Sequence, residues 1–360
     1  MNALEHQLQY PYGDTLPEPG TRQEVAPGIY WLRMPLPFAL DHINLWLVRD
    51  RLDGRDGWTI IDCGITNDTI QAHWESIFAH HLDGLPVLRV LVTHCHPDHV
   101  GLAHWLCKRW DVRLWMSLGD YMTARVMNSG TGAGSNAGGD FAASHFERHG
   151  LTDPENLEKL RARKSYYPSL VPDLPTQYRR LMDDDVVKLG LDDAGSPAEW
   201  RVITGFGHAP EHVALYNAAS NVLISGDMVL PRISTNVSVF DMEPEANPLQ
   251  LYLDSLGKYE DLPADVLILP SHGRPFRNLH TRLRQLHEHH VDRLAETLAA
   301  CTERPCHAHD IVGVIFRRQF DIHQLTFAMG EALAHLHALW HRGELVRELG
   351  EDGIYRFRAA

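Results

Sequence analysis

Residues Leu91–Leu106 read LVTHCHPDHVGLAHWL. Within six positions of this stretch stand His94, His96, Asp98 and His99, directly behind an apolar run. The run PVLRVLVTH, which ends in this cluster, has strand length and composition. His94 and His96 are one residue apart at the strand's end, so both rings can converge on one point. Pro97 suits the first turn of a helix, and PDHVGLAHWLCKRW continues with helical spacing of its apolar residues. Asp98 and His99 then sit at the start of that helix and can face a second point nearby. Neutral imidazoles and carboxylates suit borderline cations such as Zn, Mn or Fe. Cys95 lies between the two histidines; neighbouring side chains diverge in an extended segment, so it is expected to point away and serve packing.

Three further candidates stand at strand ends downstream. GFGHAPEHVALY offers His208, VLISGDMVL offers Asp227, and LILPSHGRP offers His272. Loops at strand ends are where a scaffold carries its chemistry. The other histidines mean less one by one, because the chain has 24 of them. His289, His290, His307, His309, His335 and His337 fall on helix-like segments and are read as packing or surface residues.

Around this core the chain has a clear rhythm. Residues 1–22 are polar and rich in Pro and Gly, and form an N-terminal arm. GIYWLRMPL, INLWLVRD and WTIIDCGI read as a strand meander, and NDTIQAHWESIFAHHL as a helix. From about 118 to 182 the strand pattern breaks into an insertion with helix-like stretches and the small-residue loop SGTGAGSNAGGD. That loop lacks the Lys-Ser/Thr ending of a phosphate-binding loop and reads as a lid segment. Strand signals resume with DVVKLG, EWRVITGFGH, VALYNAASNVLISGD and DVLILPSHG, with a hairpin turn at 217–221. Residues 281–360 read as three helices followed by a hairpin.

The ordered set HxHxDH, then GH, then GD, then a late SH resembles the metallo-β-lactamase-fold superfamily over roughly residues 25–280. The resemblance implies an α/β fold, an αββα sandwich with a two-metal site along one edge. The catalytic domain would span 23–280, with the helical insertion at about 118–182 inside it. Carried over position by position, His94, His96 and His208 would hold one metal. Asp98, His99 and His272 would hold the other, and Asp227 would bridge both. Asp62, in WTIIDCGI, matches an aspartate that orients a ligating histidine through its other ring nitrogen. Two positions depart from the family pattern: Cys63 stands where Thr is common, and Glu211 where Gly often follows. Neither removes a ligand.

The expected cofactors are two divalent metal ions, Zn first, with Fe or Mn as alternatives. The expected enzyme is a binuclear metal-dependent hydrolase. It would use a metal-bridging hydroxide on a small or medium acyl substrate, most readily a thioester of the acyl-CoA or glutathione type. Asp98 would orient the nucleophile or pass a proton to the leaving group. A phosphodiesterase, ribonuclease or lactonase on the same metals is the alternative. A bridging aspartate resembles the glyoxalase II, lactonase and phosphodiesterase branches rather than true β-lactamases. Residues 281–360 resemble the winged-helix tail of one branch. Their candidate recognition helix carries Arg342 but no Lys, with Glu331 and Glu344 along it, so a lid or subunit contact is expected. A homodimer is compatible with that reading.

The net charge of -14 argues against long nucleic acid and against an anionic membrane, and leaves a small-molecule substrate. The five cysteines are odd in number and form no CxxC pair, which fits a reducing cytoplasm. No signal peptide is expected from the first residues. Tyr121, Arg125, Lys164, Tyr166 and Tyr167 of the insertion are candidates to line a substrate cleft. Asn236 and Ser238, just after Asp227, are candidates to touch the substrate.

Overall fold

The computed structural model describes residues 3–129, 139–163, 166–192 and 195–360. Lys164 and most of the glycine-rich loop lie outside the described residues. Two sheets stack face to face. The first has seven strands in chain order: β1 (Gln23–Ala26), β2 (Ile29–Pro35), β3 (His42–Leu52), β4 (Arg55–Ile61), β5 (Val87–Leu91), β6 (Leu114–Met116) and β7 (Tyr178–Arg180). The meander β1–β4 is antiparallel, and β4 through β7 run parallel. The second has five strands: β8 (Val186–Leu191), β9 (Pro197–Gly205), β10 (His212–Asn217), β11 (Val222–Gly226) and β12 (Leu267–Pro270). A separate ribbon pairs β13 (Leu345–Leu349) with β14 (Tyr355–Ala359).

Helices cover both outer faces. On the first sheet lie α1 (Asp68–His80), α2 (Pro97–Val100), α3 (Ala103–Trp110), α4 (Leu118–Asn128) and, later in the chain, α7 (Tyr166–Leu170). The insertion also supplies α5 (Asp140–Glu147) and α6 (Pro154–Ala162). Over the second sheet lie α8 (Pro248–Gly257), α9 (Leu279–Glu303), α10 (Ala308–Ile315) and α11 (Ile322–His341). The order helix, sheet, sheet, helix is the expected αββα sandwich. Between the sheets, Trp31, Trp46, Ile61, Leu91, Trp200, Leu215, Ile224 and Leu269 interdigitate as one apolar layer. Arg89 and Asp50 form a buried ion pair at 2.6 Å, and Asp50 also accepts the Gly190 N–H, which ties the two sheets together. The three helices and the ribbon at the C-terminus share one core with the outer face of the second sheet.

Two local expectations change. The helix predicted over 97–110 is broken into α2 and α3, because the Leu102 N–H donates to Gly64 O at 3.0 Å instead of to Asp98. Gly101 marks the break: a Cβ there would lie 2.6 Å from Pro97 O and 2.7 Å from Gly64 O. The insertion does not wholly leave the strand rhythm, because its last part, β7, pairs with β6. All five cysteines are buried and free. Among the described residues no helix is long and apolar enough to cross a membrane.

Candidate metal centre

Strand ends bring the site together. His94, His96, Asp98 and His99 follow β5, His208 follows β9, Asp227 follows β11 and His272 follows β12. His94 Nε2 lies 2.9 Å from His96 Nδ1 and 3.2 Å from His208 Nε2. Two ligands of one tetrahedral ion stand about 3.3 Å apart, so this spacing suits a shared cation. Beside this trio, His272 Nε2 is 3.3 Å and His99 Nε2 3.6 Å from Asp98 Oδ2. Asp227 stands between the two halves: Oδ2 is 3.4 Å from His208 and 3.6 Å from His272, and Oδ1 is 3.7 Å from His99.

The opposite edges of the rings are fixed by hydrogen bonds. Asp62 accepts from His99 Nδ1 at 2.8 Å, and also from the Thr93 N–H at 2.8 Å and its hydroxyl. His208 Nδ1 donates to Asn236 O at 2.7 Å, and His272 Nδ1 to His42 O at 2.8 Å. A donor bond at Nδ1 leaves the Nε2 lone pair facing the centre, as metal ligation requires. Two buried atoms in that centre, His99 Nε2 and Asp227 Oδ1, have no hydrogen-bond partner among the described residues. Buried polar atoms are rarely left so, and a divalent cation would satisfy both. The residues present therefore fit a pair of metal ions.

Electrostatics divide the site. Burial, then the neighbouring imidazoles, hold His94 well below the ordinary histidine range. Burial also lowers His96, to about 3. Burial pulls His99 down too, but Asp98, Asp62 and Asp227 outweigh it and raise it to about 9. Burial pushes Asp98 up, and His99 and His272 override it to about 2.

Several supporting residues were not legible in the sequence. His212 begins β10 and accepts the Asp227 N–H at Nε2, 3.1 Å away, with its ring 4.9 Å from that of His94. Gly226, at φ 54°, makes room: a Cβ there would lie 2.3 Å from His212 Nε2. Asp120, buried on α4, accepts the Cys95 N–H at 2.8 Å and the Glu211 N–H at 2.7 Å, clamping two ligand loops together. Glu211 in turn accepts the Gly119 N–H at 2.8 Å. The one available signal was the second histidine of GHAPEH; nothing local marks Asp120.

The substrate candidates separate. Cys95 is buried in the apolar core, as expected of a packing residue. Tyr167 is a correction: it is 2% exposed and its hydroxyl donates to Cys95 O at 2.6 Å, so it props the ligand loop from beneath. Ser238 is also corrected. It is buried against Gly330 of α11, and its hydroxyl donates to Asn236 Oδ1 at 2.8 Å. Asn236 contributes its backbone carbonyl to His208. Tyr121 donates to Pro175 O at 2.8 Å and stacks on Tyr178, and Arg125 lies against the same segment at Leu174 O. Tyr166 remains at a cleft.

Comparison with known proteins agrees with this geometry. The family model described as Metallo-beta-lactamase superfamily matches residues 39–272, and the one described as Metallo-beta-lactamase-like, C-terminal domain matches 294–360. A solved beta-lactamase domain protein from Burkholderia ambifaria is 61% identical, covers 100% of both chains and superposes with a TM-score of 0.93. A metallo-beta-lactamase family protein from Thermus thermophilus is 27% identical over 94% of this chain and 100% of its own, with a TM-score of 0.74. The probable metallo-hydrolase YqjP of Bacillus subtilis (strain 168) is 25% identical over 319 residues, 86% of this chain and 91% of its own. With histidines and aspartates gathered at its strand ends and a matching C-terminal unit, the chain belongs to the metallo-beta-lactamase superfamily of metal-dependent hydrolases.

Proposed function

We propose that the chain is a binuclear hydrolase of small or medium acyl substrates, with thioesters the first class to try. The observation that carries the two-ion reading is Asp227, whose carboxylate reaches His208 on one side and His99 and His272 on the other. In this reading His94, His96 and His208 hold one ion, Asp98, His99 and His272 the other, and Asp227 both. When bound, two divalent ions supply Lewis acidity toward a carbonyl oxygen and acidify a coordinated water. Asp62, Asn236 O and His42 O keep the rings aimed by holding their Nδ1 protons. Asp98, 19% exposed at its side chain, is the centre's carboxylate best open to substrate, and fits proton transfer to the leaving group.

The C-terminal unit supports a small substrate. Helix α11, the segment that would read a groove in a winged helix, is buried from Leu325 through Leu339 on most of its positions. It is a packing element in this fold and offers no basic face to nucleic acid.

The test is metal analysis of protein purified without chelator, followed by turnover of acyl-CoA and lactoylglutathione thioesters, lactones and bis-nitrophenyl phosphate. About two ions per chain and thioester turnover are expected. A metal-free active protein would overturn the two-ion reading. Turnover of the phosphodiester alone would replace the acyl assignment with phosphodiester cleavage.

A further inference from the structure

Residues 235–239 run between the candidate centre and α11 as an irregular segment, and all but Asn236 are buried. Irregular segments usually lie at the surface, because their backbone polar groups need partners that no ladder supplies. Here the partners come from opposite sides. The Thr235 hydroxyl donates to Asp227 O, and the Asn236 carbonyl accepts from His208 Nδ1 at 2.7 Å. At the far end the Val239 N–H reaches Gly330 O of α11 at 3.4 Å, and His145 of α5 pairs with the Val239 backbone. The segment is a strap, with one end on the candidate ligands and the other on the C-terminal unit.

Gly330 explains how α11 comes so close. It stands inside a helix of 20 residues, Ile322–His341, where glycine is disfavoured relative to alanine. A Cβ at Gly330 would lie 2.4 Å from Ser238 Oγ and 2.7 Å from Ser238 Cβ. The hydroxyl can swing aside by rotation, but the Ser238 Cβ moves only with the strap's backbone. Ser238 Oγ in turn donates to Asn236 Oδ1 at 2.8 Å. Glu331, the next residue of α11, is bonded to the same Asn236 side chain. Both ends of that amide are therefore held, the oxygen by Ser238 and the nitrogen by Glu331. The carbonyl that fixes His208 belongs to the residue so held.

We propose that the C-terminal unit positions His208: Gly330 and Glu331 seat the strap, and the Asn236 carbonyl sets the aim of the ring. The inference rests on the two-ion reading and deepens it by giving α11 a part in metal binding. Gly330, Glu331 and Ser238 are positioning residues and act through Asn236.

The test measures zinc affinity by competition with a chelator of known affinity. Gly330→Ala improves helix propensity and should nevertheless weaken zinc at the His94, His96 and His208 half by about 10-fold. Ser238→Gly added to Gly330→Ala removes the clashing atoms and should recover most of the loss. Glu331→Leu should weaken zinc to a similar degree, whereas Glu331→Gln keeps an acceptor for the Asn236 amide and should stay within about twofold of wild type. Leu333→Ala, which opens the core under the same helix, should lower stability and leave zinc affinity unchanged. Wild-type affinity in Gly330→Ala, a loss that Ser238→Gly does not relieve, or an equal loss in Leu333→Ala overturns the proposal. Should Gly330→Ala not fold, the Glu331 variants decide: a loss in Glu331→Leu that Glu331→Gln lacks supports the proposal, and no difference between them overturns it. If the wild type binds no zinc, the two-ion reading has failed, and crystal structures of wild type and Gly330→Ala decide instead. Displacement of the strap together with the His208 ring then supports the proposal, and a ring left in place overturns it.

Discussion

Two of the settings in which histidines are buried in this molecule invite comparison. At the sandwich edge, His99 lies within 3.7 Å of Asp98 and Asp227, and Asp62 holds its far side. Between α9 and α11, His290 and His335 pack with ring centroids 5.4 Å apart, and among the described residues neither pairs with a carboxylate. Burial alone lowers an imidazole's pKa, and it does so for His290 and for His335, which falls to about 4. At His99 three carboxylates reverse that effect. Depth is the same in both places. What separates His99 from the packing pair is the gathering of carboxylates around its ring.

The sharpest way to break the comparison is to remove the carboxylate shared by both halves. Asp227→Ala should lower metal content from about two ions per chain and cut kcat by more than the roughly 10- to 100-fold that a supporting residue costs. Elemental analysis and turnover on the same preparation check it. Full metal content with wild-type turnover would make Asp227 a residue of the turn after β11 and no ligand.

Next comes Asp62→Asn, which keeps the shape but removes the charge behind His99. Metal affinity should fall about 10- to 100-fold, with the loss confined to the half that contains His99. Competition with a chelator of known affinity measures it. An unchanged affinity would mean that Thr93 and the loop alone orient the ring.

The packing pair should behave in the opposite way. His290→Leu should leave metal content and kcat near wild type and change stability by about 0.5–3 kcal/mol, read by denaturant unfolding. His337, whose Nδ1 donates to Ala246 O at 2.9 Å, should follow the same rule. A loss of metal from either variant would join the two settings.

This contrast explains how much was legible in the sequence. His94, His96, Asp98 and His99 declare themselves because one strand end presents all four, so spacing carries the geometry. His208, Asp227 and His272 are visible because each ends an apolar strand. Asp120 is not visible, since its partners lie 25 and 91 residues away and only the packed fold brings them to it. The break at Gly101 is invisible for a related reason: the helical period of apolar residues continues through it, while the bond that interrupts it comes from Gly64. Tyr167 and Ser238 show the limit of placing a residue near a site by sequence position. Both are near, and both face the scaffold.

One carboxylate does enter the C-terminal half, and it sharpens the rule. Glu331 on α11 is buried and bonds to the Asn236 side chain, while the Asn236 carbonyl holds His208. It has no imidazole of the centre beside it to offset its charge. Burial therefore dominates and pushes its pKa up to about 7, although Asn236, Arg293 and Arg318 act against that. A folded-state pKa above the ordinary glutamate value means that the folded protein binds this proton more tightly than the unfolded chain. The stability it contributes is full below the ordinary glutamate pKa and is lost as pH rises through about 7. Glu331→Gln, which mimics the protonated form, should match wild-type stability near pH 5 and exceed it by about 1–3 kcal/mol near pH 8.5. Denaturant melts at the two pH values check this. A variant less stable than wild type near pH 8.5 would show that the charged carboxylate is compensated in place, and the two settings would then differ by less than the metal centre suggests.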